Sequence, residues 1–142
     1  MTAKCPFCEL DPTRNREITS NEHVRVFLSN PRLIPGHTLV IPKRHVEHPN
    51  ELTEAELVAI FAQINVIRNR LLTSIAEGVD IRQNYRPFLP QGNIKVDHVH
   101  FHVLPRTNQD DLYQKYMHLE WQQFQDLTES ERDEMLDLLT EK

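Results

Sequence analysis

The chain has 142 residues, 39% of them hydrophobic and 26% charged, which fits a single soluble globular domain with one core over residues 1–142 and requires no second domain. Its net charge is −5 and its basic residues are dispersed, so the clustered Lys/Arg surface of a nucleic-acid binder is not expected. No apolar run approaches the ~20 residues of a membrane span, and Met1-Thr2-Ala3-Lys4-Cys5 lacks the apolar segment of a signal peptide, so a cytoplasmic protein away from membranes is expected.

Cys5 and Cys8 are the only cysteines, and in a reducing compartment their C-x-x-C spacing points to metal binding or redox chemistry rather than a disulfide. After a turn at Asp11-Pro12, residues His23 to Leu28 alternate as a strand and Asn30-Pro31 breaks it. A second turn at Pro35-Gly36 precedes a strand from Thr38 to Ile41, closed by Pro42, so Ser29 to Gly36 connects a hairpin. Thr53 with Glu56 forms a capping-box pattern. Leu57, Ile60, Phe61, Ile64, Ile67, Leu71, Leu72 and Ile75 then recur at helical spacing, predicting one long helix that Gly78 stops. Asn84 to Asn93 is rich in Pro, Gly, Asn and Arg and reads as a loop. The strand that follows runs from His98 to Arg106, and Thr128 with Glu131 caps a terminal helix holding Met135, Leu138 and Leu139. Strands around one long helix predict an α+β fold with a mixed antiparallel sheet and helices on one face.

The stretch His98-Val99-His100-Phe101-His102 carries the chemistry. In an extended chain the three imidazoles share one face, at about 6.6 Å intervals, while Val99, Phe101 and Val103 share the other. A lone histidine on a strand is ordinarily just a polar outward residue; three in register are not. A histidine nucleophile needs one neutral ring nitrogen aimed at phosphorus, the other held as a donor, and neighbours that neutralise phosphate oxygens. His100, flanked on both sides, fits the nucleophile, and His102 fits a donor to a phosphate oxygen or to the leaving group. A three-histidine metal centre competes with this reading, but imidazoles diverging along one strand converge poorly on one ion. His23 and His118 read as isolated surface residues, and Trp121 as packing.

This pattern of histidines alternating with apolar residues resembles the signature of the histidine-triad (HIT) family of nucleotide hydrolases and transferases. Pro35-Gly36-His37-Thr38-Leu39-Val40-Ile41-Pro42-Lys43-Arg44-His45 resembles the family's first conserved block, and Cys5-Pro6-Phe7-Cys8 with Glu9-Leu10 resembles the start of many bacterial members. The likeness spans most of residues 5–106 and leaves 107–142 as a C-terminal extension. It implies a five-stranded antiparallel sheet with two helices, usually paired as a homodimer. It also implies that His100 attacks an α-phosphorus to give a nucleotidyl-histidine that water hydrolyses, with His98 and His102 flanking it and His37 as a fourth active-site histidine. Asn30 falls one residue from the ribose-contacting position and Asn84 matches a phosphate-contacting amide; the segment from Asn84 to His98 is longer than usual, which leaves Asn93 as the other candidate.

Cys5 and Cys8 supply half of a tetrahedral site and need two further ligands. In bacterial members with the same cysteine block the partners match His45 and His98, which implies a structural zinc on Cys5, Cys8, His45 and His98 and moves His98 from chemistry to metal. His48 is a substitute ligand, and two unliganded thiols near a loose terminus are the alternative. The function implied is hydrolysis or transfer at the α-phosphate of a nucleotide conjugate: a dinucleoside polyphosphate, a nucleoside phosphoramidate or an adenylylated metabolite. A nucleotide-binding module with little turnover, or a redox protein built on the cysteine pair, are the other classes.

Overall fold

Five strands pair antiparallel in the order β1-β2-β3-β5-β4 in the computed structural model, which describes residues 4–92 and 94–140. They are β1 (Glu17–Ser20), β2 (Val24–Leu28), β3 (Thr38–Pro42), β4 (Gly78–Arg82) and β5 (Phe101–Arg106). Three α-helices accompany them, α1 (Glu54–Leu72), α2 (His118–Trp121) and α3 (Glu129–Thr140). The α+β architecture is therefore as expected, with one helix more than the resemblance implied. The additional one, α2, is a single turn continuing a π-helical turn over Tyr113–Met117, too short to leave a periodic signal.

Local chemistry explains the hairpins and the helix start. Asn21 Oδ1 accepts from the backbone N–H of His23 and of Val24, each at 3.0 Å, and so closes the β1–β2 turn. Between β2 and β3 the chain passes a cis Asn30-Pro31 bond and then Gly36, whose φ of 92° is readily reached only without a Cβ. In α1 the capping box forms as expected: Thr53 accepts from Glu56 N–H at 3.1 Å, and Glu56 Oε1 accepts from Thr53 N–H at 3.0 Å. Buried Glu56 also takes Arg44 at 2.8 Å, so the cap ties the helix to the segment following β3.

The far end of α1 differs from the expectation. The helix ends at Leu72, where the N–H groups of both Ile75 and Ala76 converge on the Leu71 carbonyl. The hydroxyls of Thr73 and Ser74 bond back to carbonyls of the last turn. Gly78 opens β4 instead of stopping the helix. Strands β1 and β4 had no counterpart in the predicted elements.

The sheet has two apolar faces. Val24, Val26, Val40, Phe101 and Val103 pack with Ile60, Ile64 and Ile67 of α1 to form the larger core. On the other face Phe27, Leu39 and Ile41 meet Phe7 and Val96 in a smaller one. Because side chains alternate along each strand, this second face also receives His102, whose ladder neighbours are Leu39 on β3 and Arg82 on β4. Residues lining the site thus stand on the face away from α1. Beyond β5, buried Arg106 joins Asp110 (2.9 Å) and Asp80, fastening the segment after β5 to β4. Apolar residues of α3 such as Leu138 and Leu139 remain exposed.

Gly36 sits where a Cβ would meet Pro105 at 3.0 Å and the Ile75 side chain at 3.1 Å, in addition to its positive φ. Gly36→Ala is expected to destabilise the fold by roughly 1–3 kcal/mol, read as a lower denaturant midpoint with an unchanged m-value; an unchanged midpoint would show that the turn relaxes freely.

Candidate active site and metal cluster

Sequence reading laid one straight strand from His98 to Arg106. In the structure β5 begins only at Phe101, and His98 lies in a bend. The reason is visible in its partners. His98 is 1% exposed, donates Nε2–H to the Pro42 carbonyl at 2.8 Å, and turns Nδ1 toward Cys5 Sγ (3.5 Å) and Cys8 Sγ (3.6 Å). A carbonyl can only accept, so the Nδ1 lone pair is the one that faces the sulfurs. His45 Nδ1 lies 3.2 Å from Cys8 Sγ, with its Nε2 near Glu47 at 3.5 Å. The four donor atoms of Cys5, Cys8, His45 and His98 all lie within 4.8 Å of one another, an arrangement that could hold a metal ion. His48 is outside this group and stacks near Tyr85, ring centroids 5.1 Å apart.

His100 is anchored by the same residue. Its Nδ1 lies 2.6 Å from the His98 carbonyl oxygen, so Nδ1 carries the proton and the Nε2 lone pair is left without a partner among the described residues. The edge of Phe7 meets the His100 ring at 5.2 Å between centroids, and Phe7 is itself carried between the two cysteines. Burial lowers the pKa of His100 from the ordinary imidazole value, which favours the neutral ring.

His37 and His102 form a second, ordered pair. The backbone N–H of Leu33 donates to His37 Nδ1 at 3.1 Å, which places the His37 proton on Nε2. That proton lies on a 2.8 Å contact to His102 Nδ1, which leaves His102 with its own proton on Nε2. Burial is the main cause of the depressed pKa of each, with the His100 charge next; His37 falls to about 4 and His102 to about 3. His100 and His102 are neighbours, ring centroids 4.9 Å apart. One imidazole therefore offers a lone pair and the next a hydrogen-bond donor, the combination that attack on an anionic ester requires.

His98, His100 and His102 line a cavity of about 730 Å³, with His37 behind His102. Asn30 and Asn84 both line it, while Asn93 lies outside the described residues. Asn30 Nδ2 donates to the Arg14 carbonyl at 3.2 Å. Several lining residues had no place in the sequence reading. Buried Asn15 makes no side-chain hydrogen bond among the described residues, and Arg82, Arg86 and Lys95 bring cations to the wall. Only Phe7, enclosed by the cysteines, stood in a motif that marked it; the Arg82 position depends on a register that cannot be read before β4 is known to pair with β5.

Comparison with known proteins gives the family. Residues 13–109 match the HIT domain model, so the chain belongs to the HIT family. An uncharacterised HIT-like protein of Methanocaldococcus jannaschii is 34% identical over 109 residues, covering 75% of this chain and 81% of the relative. Two relatives from Schizosaccharomyces pombe are enzymes by name. The asymmetrical bis(5′-nucleosyl)-tetraphosphatase is 29% identical and covers 59% of this chain and 45% of its own. Adenosine 5′-monophosphoramidase is 31% identical, covering 53% and 52%. Among solved structures, SMU.412c of Streptococcus mutans superposes with a TM-score of 0.72 at 27% identity, over 96% of this chain and 83% of that one. Among the described residues, no helix is long and apolar enough to cross a membrane.

The depressed imidazoles give a pH dependence with a fixed sign. Unfolded histidines take up protons below about pH 6.5, whereas folded His37 and His102 do so only near about 4 and about 3. Stability present above pH 6.5 should therefore be lost progressively as pH falls toward 4. The loss should be smaller in a His37→Gln/His102→Gln double variant, as read by melting temperature at a series of pH values. Parallel curves for both proteins would assign the acid loss to other groups.

Proposed function

We propose that this protein cleaves or transfers a nucleotidyl group at the α-phosphate of a nucleotide conjugate through a covalent nucleotidyl-histidine. One observation carries the reading: His100 lines the cavity with its Nδ1–H held by a backbone carbonyl, which leaves Nε2 without a hydrogen-bond partner among the described residues. In the first step Nε2 bonds to the α-phosphorus and the bond to the leaving group breaks; in the second, water displaces the histidine and releases the nucleoside monophosphate. His102 Nε2–H donates to a phosphate oxygen, and His37 keeps that tautomer in place. Asn30 and Asn84 contact the nucleotide from the cavity wall, and Asn93 is retained as a further candidate from the same loop. Residues 1–142 act as one domain of this kind, with a core over 5–106 and an extension over 107–142. The leaving group comes from the class that the named relatives act on, polyphosphate or phosphoramidate.

Cys5, Cys8, His45 and His98 are read as a structural zinc site. Tetrahedral zinc with bonds of about 2.3 Å to sulfur and about 2.0–2.1 Å to nitrogen has sulfur-to-nitrogen edges near 3.6 Å, and the separations here run from 3.2 to 3.6 Å. Such an ion stabilises the N-terminal segment and leaves His98 out of the chemistry, and a reducing cytoplasm would keep the two thiols available to it. Pairing into a homodimer is also part of the reading. It is supported by the edge position of β4, where Ile81 is exposed, and by the exposed apolar residues Leu57 and Phe61 on α1. No nucleic-acid or membrane partner is invoked.

With a slowly hydrolysed conjugate quenched at neutral or alkaline pH, intact-mass spectrometry should show one nucleotide added to the wild type and none to His100→Ala, whose turnover should be lost. A protein that binds nucleotide but neither turns over nor forms an adduct would be a binding module instead.

Native mass spectrometry addresses metal and pairing together: about one zinc per chain, and twice the 16.8 kDa chain mass. Cys5→Ser should lower zinc content and melting temperature together, and unchanged zinc would remove Cys5 from the ligand set.

A further inference from the structure

The cysteine pair has a capacity that holding a metal does not use: its two sulfurs can bond to each other. The backbone N–H groups of Cys8 and Glu9 both donate to the Cys5 carbonyl, at 3.2 and 3.3 Å, in one tight turn. The sulfurs lie within 4.8 Å of each other, Cys8 is exposed and Cys5 half-buried, and the chain has no other cysteine. Two sulfurs on tetrahedral zinc stand about 3.8 Å apart, whereas a disulfide needs about 2.05 Å. Closing the pair therefore takes both sulfurs away from a shared ion, and the two states exclude each other.

What the sulfurs touch gives that exclusion a consequence. His98 is buried, its Nε2–H is taken by the Pro42 carbonyl, and its Nδ1 lone pair faces both sulfurs. A metal can bond to that lone pair and a thiol can donate to it; a disulfide can do neither, and leaves a buried acceptor without a partner. The His98 carbonyl in turn holds Nδ1–H of His100 at 2.6 Å. Phe7, between the two cysteines in the chain, packs on Phe27 and sets its ring 6.1 Å from His98 and 5.2 Å from His100, between centroids. A change of bonding at the sulfurs thus reaches His100 through one hydrogen bond and one aromatic contact.

Resting on the zinc and nucleotidyl-transfer readings above, we infer that Cys5 and Cys8 are an oxidative modification site that switches His100: hydrogen peroxide converts the metal-bound pair into a disulfide, which releases the ion and disables the histidine. Sulfurs that ligate a metal are thiolates, the reactive form, and exposed Cys8 meets the oxidant first. Its sulfur bonds to one peroxide oxygen, the oxygen–oxygen bond breaks, and Cys8 becomes a sulfenic acid as hydroxide leaves. The Cys5 thiolate then bonds to the Cys8 sulfur and expels a second hydroxide. The two sulfurs have together lost two electrons to the peroxide, and solvent protons convert both hydroxides to water. His45 and His98 are left as the only two ligands, too few to retain the ion. A dithiol reductant returns the pair to thiols, and metal can rebind.

The test treats the purified, zinc-loaded full chain with hydrogen peroxide. Three quantities are followed: zinc released to a chromophoric chelator, the Cys5–Cys8 bond by peptide mass spectrometry, and hydrolysis of diadenosine tetraphosphate or adenosine 5′-phosphoramidate, whichever the untreated chain turns over. About one zinc per chain should be released in step with disulfide formation. Over the same course kcat should fall by about 10-fold or more, with the far-ultraviolet circular dichroism of the fold retained. Dithiothreitol with added zinc should restore all three, which separates the switch from oxidation of Met117 and Met135, since methionine sulfoxide needs its own reductases. Zinc retained under peroxide, zinc released without the disulfide, a disulfide formed at unchanged kcat, or a rate lost only with global unfolding overturns the switch and leaves both earlier readings standing. A chain that carries no zinc before treatment overturns the zinc reading, and one that shows neither turnover nor a His100 adduct before treatment overturns nucleotidyl transfer; the switch falls with either.

Discussion

His98 commits both ring nitrogens and its carbonyl to fixed partners, and the rest of the site depends on that. Nε2–H is taken by the end of β3 through Pro42, Nδ1 faces the cysteine pair, and the carbonyl oxygen holds the proton of His100. Leaving the strand for a bend lets one residue meet three separate parts of the chain. A buried imidazole with a wasted polar atom would be costly; here each is used. The N-terminal segment, though outside the sheet, is thereby connected to His100 by two routes: His98 itself, and the edge of Phe7 on the His100 ring.

The sheet supplies the second half of the geometry. Antiparallel pairing puts Leu39, His102 and Arg82 in one cross-strand row, so an apolar floor, a donor and a cation face the cavity from three adjacent strands. The opposite face is filled by α1 through Ile60, Ile64 and Ile67. Burial on one side gives the strands their rigidity, and the other side is free to be polar. The capping box at Thr53 and Glu56 extends this support, since Glu56 reaches Arg44 beside the His45 position.

What could be read from sequence follows the strength of the local signal. The cysteine spacing and the capping box depend on residues close in the chain, and both found a counterpart: the cysteines gather with His45 and His98, and Thr53 and Glu56 exchange hydrogen bonds. Edge strands β1 and β4 were not legible: Glu17–Ser20 and Gly78–Arg82 are only four and five residues long and neither has a buried residue, so the alternation of Val79 and Ile81 in β4 is too brief to mark a strand by itself. The end of α1 was misplaced because Ile75 continues the apolar spacing although the carbonyls of the last turn are already taken by Thr73 and Ser74. Arg82 and Arg86 are ordinary surface residues in sequence and become part of the cavity wall only through register and loop path. His98 shows the same principle most sharply, since alternation alone would keep it in line with His100 and only distant cysteines pull it out.

The order of hydrogens from Leu33 through His37 to His102 begins at a backbone amide, and an amide cannot exchange its donor role for an acceptor one. Every hydrogen along that line therefore has a single sense. A ring flip or tautomer exchange at either histidine would set donor against donor or leave two lone pairs facing. The arrangement is therefore fixed by the fold itself, and a ligand entering the cavity meets a set of dipoles already oriented.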